Sequence, residues 1–340
     1  MIKNYIEKIA AGENLSVDES FNVMTHIMNG ECNNSLIAGF LLALRTKGET
    51  PEEVAGFVKA MRDKSVKIKS YSPDTIDVCG TGGDGSNTFN ISTASAFVVA
   101  GTGINVAKHG NKSVSSRSGS ADVLTHLGIN INLSPSLAEA ALNEIGITFL
   151  FAPLYHPAMK YAAEVRRELG MKTIFNILGP LTNPAGTKKQ MVGVFNDKTA
   201  YLMAEASKYL DMERVLFLCT DNCLDEVSLT APTNIFEHNK GNDTKNYYID
   251  SATFGFAPVD ISSLQSDSTE KNAEMILSVF KNKTKGDIFN VIVANAAVAI
   301  HTSGYSDNLL VCKAAAEESI ISGNAYGKLM ALKSFGEKHK

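Results

Sequence analysis

The run Ile76-Asp77-Val78-Cys79-Gly80-Thr81-Gly82-Gly83-Asp84-Gly85 decides how the rest of the chain is read. Its first residues are mostly apolar and predict a strand over residues 76–79. Four glycines then fall within six positions, and Thr88-Phe89-Asn90-Ile91-Ser92-Thr93 leads into a helix expected over residues 92–100. Strand, glycine-rich turn and helix in that order let the backbone approach a bulky anion, with loop amides and the helix N-terminus aimed at phosphate oxygens. The loop is neither GxGxxG nor GxxxxGK[ST], because no Lys-Ser or Lys-Thr closes it. On its own, the same run also describes a glycine-rich turn that holds no ligand.

The next segment strengthens the anion reading. A second strand is expected over residues 104–107, and Lys108-His109-Gly110-Asn111-Lys112-Ser113-Val114-Ser115-Ser116-Arg117-Ser118-Gly119-Ser120 follows it. Three cations, a histidine, an amide and several hydroxyls suit a polyphosphate attached to a ribose. A solvated loop would ordinarily include carboxylates, yet none occurs between Ile104 and Ala121. Farther on, Tyr155-His156-Pro157-Ala158-Met159-Lys160 and Arg166-Arg167 form either a second anion-recognising surface or a satisfied helix face. Asp225-Glu226 follows a strand expected over residues 215–218. Adjacent carboxylates there could hold Mg²⁺ through oxygens, or form an exposed acidic turn; the two basic and glycine-rich loops favour the former.

Outward from these motifs, short apolar runs alternate with helical stretches. Strands are also expected at 148–151 and 247–249, and helices from Ser134-Pro135 to Gly146, near 290–300 and at 309–321. This rhythm predicts a mainly parallel sheet covered by helices. The first seventy residues read as helices instead. Ser16 and Glu19 form a capping box before Phe21, Val23, Met24 and Ile27, and Thr50-Pro51-Glu52-Glu53 supplies a cap, a first-turn proline and first-turn carboxylates. Lys59, Arg62, Lys64, Lys67 and Lys69 are expected on a solvated helix face and a following linker. The fold class is therefore α/β, with a helical domain at 1–70 beside an α/β domain at 71–340.

Composition narrows the functional classes. Of 340 residues, 44% are hydrophobic and 20% charged, as in ordinary globular proteins. The net charge of −4 gives no global attraction to nucleic acid or anionic lipid, so neither is expected as a partner. The apolar stretch at 288–300, broken by Asn290 and Asn295, falls short of the roughly 20 residues of a membrane span. The N-terminus lacks the apolar core of a secretory signal, and five cysteines are too sparse for a disulfide scaffold, so a cytoplasmic location with reduced thiols is expected. Cys219 and Cys223 lack the second close pair of a structural zinc site and are read as small residues packed at a strand end.

Five ordered runs resemble anthranilate phosphoribosyltransferases: DVCGTGGDGSNTFNISTA at 77–94, VAKHGNKSVSSRSGSADVL at 106–124, FLFAPLYHPAMK at 149–160, RRELGMKTIFNILGPLTNP at 166–184 and LDEVSL at 224–229. The resemblance spans nearly the whole chain. It implies a nucleoside-phosphorylase-type fold in which helices from about 163–184 rejoin the N-terminal domain, and a homodimer formed through that domain. It implies transfer of the phosphoribosyl group from phosphoribosyl pyrophosphate to anthranilate, with Mg²⁺, in tryptophan biosynthesis. Carried over by motif, Gly80, Gly83, Asp84, Thr88, Asn90, Ile91, Ser92, Thr93, Lys108, His109, Gly110, Asn111, Lys112, Ser113, Val114, Ser115, Ser116 and Ser120 resemble the phosphoribosyl pyrophosphate surface. Ser92, Asp225 and Glu226 resemble the metal ligands. Gly80, Asn111 and Arg166 resemble the anthranilate contacts, with His156 and Gly179 beside that substrate's channel. Lys108, Asp225 and Glu226 would carry the catalytic charge stabilisation.

Two local departures stand out. Members of the family often have Gly-Asn-Arg where this chain has Gly110-Asn111-Lys112, which keeps the charge without the planar fork. They commonly have His-Gly-x-x-Gly-Leu-Asp-Glu where it has Cys219-Thr220-Asp221-Asn222-Cys223-Leu224-Asp225-Glu226. Two other classes compete. A pyrimidine nucleoside phosphorylase would share the fold, but the GTGGDG form and the acidic pair favour the pyrophosphate-dependent reaction. A nucleic-acid-binding relative would need a continuous basic groove, which the net charge opposes.

Overall fold

The computed structural model describes residues 2–113 and 118–339. Four helices open the chain: α1 (Ile2–Ala10), α2 (Val17–Met28), α3 (Asn34–Lys47) and α4 (Pro51–Lys64). Both expected capping boxes form. Ser16 and Glu19 exchange bonds at the start of α2, and Thr50 and Glu53 do so at α4. Glu53 is fully buried, and it also accepts from Leu15 N at 2.9 Å and pairs with Lys47 at 3.0 Å, so one carboxylate fixes a loop as well as a helix end.

The α/β part begins with β1 (Ile76–Gly80), α5 (Ile91–Gly101), β2 (Val106–Gly110), α6 (Ser120–His126), α7 (Pro135–Ile145) and β3 (Ile147–Phe151). Then α8 (Ala152–Tyr155), α9 (Lys160–Leu169) and α10 (Phe175–Leu178) cross back, with α9 packing on α2 and α3 and α10 on α4. The chain continues through β4 (Lys189–Gly193), α11 (Asp197–Ser207), β5 (Arg214–Thr220), β6 (Thr233–Asn239) and β7 (Lys245–Ile249). It closes with α12 (Thr269–Phe280), α13 (Asp287–Ser303), α14 (Leu309–Ile321) and α15 (Asn324–Lys338).

The sheet order is β3-β2-β1-β4-β5-β6-β7. The first five strands are parallel and the last two antiparallel, so the mainly parallel expectation holds with an antiparallel flank added. Both faces of the sheet are covered. Along β5, Leu216 and Leu218 join the core that contains α5 and α13, while Val215 and Phe217 join the core built from α4 and α11, as the two-residue strand period requires. The apolar stretch near 290–300 is the middle of α13, buried on all sides between the sheet and α5 and α14. After β1 the chain builds toward β2 and β3, and with β4 it reverses to the other side. Ligands of open α/β sheets bind outside the strand ends at such a reversal.

Three local readings change. The second strand runs 106–110 instead of 104–107, because Gly103 takes a left-handed turn (φ 94°) before it. Arg62 is not on a solvated face: its guanidinium is enclosed and donates to Leu181 O at 2.7 Å, and burial lowers its pKa to about 10. Cys219 is buried on β5 as expected, but Cys223 is exposed, because it lies on the outer side of the turn that follows the strand.

Candidate active site

The glycine-rich loop lies over the C-terminal ends of β1 and β4, where the acidic turn after β5 packs directly onto it. A Cβ on Gly193 would lie 1.7 Å from Asp225 O, so this strand end needs glycine, and one on Gly80 would lie 2.8 Å from Asp225 Oδ2 and displace that carboxylate. Gly82 N donates to Asp225 Oδ2 at 2.8 Å, and Thr81 N donates to Gly193 O at 2.9 Å. The turn that delivers Asp225 uses no glycine. Asp221 and Asn222 take left-handed conformations (φ 52° and 53°), and Cys223 does not, so a side chain at Cys223 is compatible with the turn.

Glu226 Oε1 accepts from Ser92 N, 3.0 Å away in the first turn of α5. Ser92 Oγ accepts from Lys108 Nζ at 3.3 Å, and the same ammonium donates to Val78 O at 2.6 Å. Ser92, Glu226 and Lys108 therefore form one connected group at the crevice floor. At the α5 cap, Asn90 makes no side-chain capping bond, and Asn90 Oδ1 and Thr93 Oγ1 are buried without hydrogen-bond partners. The Thr93 hydroxyl can donate to an anion at this helix N-terminus, whereas Asn90 Oδ1 can only accept, from a ligand hydroxyl or water. Ile91 is fully buried, so it can serve the surface only through its backbone.

The electrostatics agree with this grouping. Glu226 is held well above the usual carboxylate range, first by burial and then by the charge of Asp225. Asp225 is pushed up to about 7 by burial and by the neighbouring Asp84. Lys108 is lowered by burial, against the opposing pull of Asp77 and the acidic pair. Crowded carboxylates with a serine hydroxyl offer hard oxygen donors to a cation. Among the described residues no three His, Cys, Asp or Glu side chains gather as a self-sufficient metal cage. Two carboxylates plus substrate oxygens and water are the usual holding set for Mg²⁺.

The basic loop after β2 closes on itself. Asp122 Oδ2 accepts from Ser113 N at 3.1 Å and Gly119 N at 2.9 Å, and Ser120 Oγ donates to Asn111 O at 3.2 Å. A Cβ on Gly110 would lie 2.4 Å from Ser120 Oγ. Asn111 and Lys112 are exposed at the loop's start, and Val114, Ser115 and Ser116 lie outside the described residues. On the other side, His109 Nδ1 contacts Gly179 O at 3.2 Å, and the His109 and His156 rings lie 5.2 Å apart. Burial lowers these imidazoles to about 3 and about 4, so both are neutral at pH 7. Arg166 stacks its guanidinium 5.2 Å from the Phe175 ring centroid, and among the described residues it makes no direct bond to the other expected site residues. Asp84 accepts from Ser86 N and Oγ, and Thr88 bridges to Gln265.

Two polar residues were not singled out from sequence. Asp77 is fully buried, accepts from His109 N at 3.1 Å and faces Gln190 Nε2 at 3.3 Å. Asn183 Nδ2 donates to Ala107 O at 2.7 Å. Together they support the β2 end that carries Lys108 and His109. A carboxylate inside an otherwise apolar strand was the available signal for Asp77; Asn183 offered none.

The glycosyl transferase family model for the helical bundle domain matches residues 3–65, and that for the a/b domain matches residues 72–326. An anthranilate phosphoribosyltransferase of Salinibacter ruber is 43% identical over 338 residues, covering 98% of each chain. The chain belongs to the anthranilate phosphoribosyltransferase family. The crystal structure of the Thermus thermophilus enzyme superimposes with a TM-score of 0.91 at 36% identity, covering 98% of this chain and 99% of that one. The Saccharomyces cerevisiae enzyme, solved in complex with PRPP and Mg, gives 0.90 at 28% identity over 99% and 98%. No helix among the described residues is long and apolar enough to cross a membrane.

Proposed function

We propose that the crevice over β1 and β4 binds phosphoribosyl pyrophosphate and passes its phosphoribosyl group to anthranilate, giving N-(5-phosphoribosyl)anthranilate and pyrophosphate in tryptophan biosynthesis. The observation that carries this reading is the contact of the glycine-rich loop with Asp225 beside the Glu226–Ser92–Lys108 group, which sets backbone amides, an ammonium and two carboxylates around one space. Mg²⁺ held by Ser92, Asp225 and Glu226 would neutralise the diphosphate and relieve the repulsion between the carboxylates.

The residues themselves do the rest. Gly80, Gly83, Asp84, Thr88, Asn90, Ile91, Ser92 and Thr93 cradle the phosphates through the loop and the helix N-terminus, while His109 to Ser116 and Ser120 bind the phosphoribosyl end. As the C1–O bond breaks, its electron pair goes to pyrophosphate, and Lys108 and the loop amides offset the growing charge. Anthranilate's amine is uncharged at neutral pH and attacks C1 without losing a proton first; once the C1–N bond has formed, the proton passes to water or to the departing pyrophosphate. Asn111 and Arg166 hold the aromatic carboxylate, and Gly80, His156 and Gly179 line its approach. Holding the amine in line with the leaving oxygen lowers the entropic cost. A neutral His156 suits this role, because it does not compete with Arg166 for the carboxylate.

Assembly as a homodimer through the helical domain is what the family resemblance implies, and residues 3–65 match the helical bundle domain of that family. The five unpaired cysteines suit a reducing compartment such as the cytoplasm. The reading is tested by mixing the protein with phosphoribosyl pyrophosphate, Mg²⁺ and anthranilate and following loss of anthranilate fluorescence. Phosphate-dependent cleavage of a pyrimidine nucleoside without that loss would favour the phosphorylase instead.

A further inference from the structure

Three consecutive residues of the glycine-rich loop each have an anchor outside it. Thr81 and Gly82 are tied to Gly193 O and Asp225 Oδ2, both at the sheet end. Gly83 O instead accepts from Lys172 Nζ at 2.8 Å. Lys172 lies between α9 and α10, in the segment that crosses back to the helical domain, and neither the motifs nor the reaction above gives it a role. Its ammonium sits 3.7 Å from the centroid of the Phe195 ring, just beyond β4, and its own carbonyl accepts from the Arg45 guanidinium on α3. One half-buried residue thus links α3, through its carbonyl, with the end of β4 and the glycine-rich loop, through its side chain.

The link matters because of what it holds. Gly82 and Gly83 have φ of 65° and 73°, and glycine pays more conformational entropy on ordering than any other residue. A loop that must present its amides to a diphosphate gains from being ordered beforehand. Among the described residues, the bonds that Gly193 and Asp225 make to the loop's backbone are to Thr81 and Gly82, and the Gly83 carbonyl is held from the other side. The ring beneath the ammonium fixes the lysine where its proton meets the Gly83 carbonyl.

We propose that Lys172 is a positioning residue that holds the turn at Gly82 and Gly83 in its diphosphate-receiving shape from the helical side of the crevice. The inference rests on the function given above. In the protein without substrate, Lys172→Met is expected to speed hydrogen exchange of the bonded Thr81 and Gly82 amides about tenfold, the scale of one lost charged hydrogen bond. Lys172→Arg, which can still stack on Phe195 and donate to Gly83 O, should restore slow exchange, and Phe195→Leu should speed it. With substrates, Lys172→Met should raise KM for phosphoribosyl pyrophosphate about tenfold and leave KM for anthranilate nearly unchanged. Unchanged loop exchange together with unchanged KM for phosphoribosyl pyrophosphate in Lys172→Met would overturn the proposal, as would failure of Lys172→Arg to restore either. A wild-type protein inactive on anthranilate would defeat the functional reading, while the exchange experiment would still report on Lys172.

Discussion

The backbone carbonyl of Asp225 lies where a side chain on Gly193 would begin, 1.7 Å from the site of its Cβ. The acidic turn and the end of β4 therefore cannot move independently. Gly193→Ala must push Asp225 away from Gly82 or bend the strand. Such overpacking costs about 1–3 kcal/mol. Because the displaced atoms belong to the candidate metal and diphosphate site, we expect kcat/KM for phosphoribosyl pyrophosphate to fall far more than thermal stability does. Steady-state kinetics beside a melting curve measures both, and wild-type kinetics in the variant would refute the tight coupling.

Arg166 is expected to face the carboxylate of anthranilate. Arg166→Ala should raise KM for anthranilate and lower kcat/KM for that substrate by about tenfold to a hundredfold, the loss of one charge-assisted bond. KM for phosphoribosyl pyrophosphate should change little. Because Arg166 stacks on Phe175, a control with Arg166→Lys separates charge from packing: the lysine keeps the charge but not the planar contact. Unchanged anthranilate kinetics in Arg166→Ala would remove the assignment.

The two neutral imidazoles give a pH dependence of stability. His109 and His156 have folded pKa values of about 3 and about 4, below the roughly 6.5 of an exposed histidine. A depressed folded pKa means that the unfolded chain binds more protons between these values. The stabilisation is thus complete above about pH 6.5 and is lost as pH falls toward 4. Each histidine contributes a slope of about 1.4 kcal/mol per pH unit near pH 5–6. His156→Gln should remove one such share from the decline in unfolding free energy between pH 6 and pH 5. Denaturant unfolding at both pH values gives the slopes; equal slopes in the two proteins would show that His156 is protonated in the folded state.

The parts of this architecture visible in the sequence are those set by neighbours along the chain. Ser16 with Glu19, and Thr50 with Glu53, signalled helix starts because capping is a three-residue relationship. The glycine-rich loop was visible because its backbone conformation demands glycine. β4 was not: Lys189-Gln190-Met191-Val192-Gly193 is short, begins with polar residues and is a strand because β1 and β5 lie on either side of it. β6, with Glu237 and His238 inside it, hides its character for the same reason. Arg62 and Cys223 were misread because burial is a property of the packed molecule, and Lys172 reaches Gly83 across 89 positions of sequence.

Asp225 and Glu226 are proposed to form the acidic floor beside which the diphosphate leaves ribose C1, and they would hold the Mg²⁺ that neutralises it. The most direct test is a titration of initial rate against Mg²⁺ for the wild type and for Asp225→Asn with Glu226→Gln, which keeps size and most packing while removing both charges. The wild type should consume anthranilate only with phosphoribosyl pyrophosphate and Mg²⁺ present, and the double variant should show a sharply lower kcat and need more Mg²⁺ to reach it. Full activity of the double variant at the wild-type Mg²⁺ concentration would contradict it.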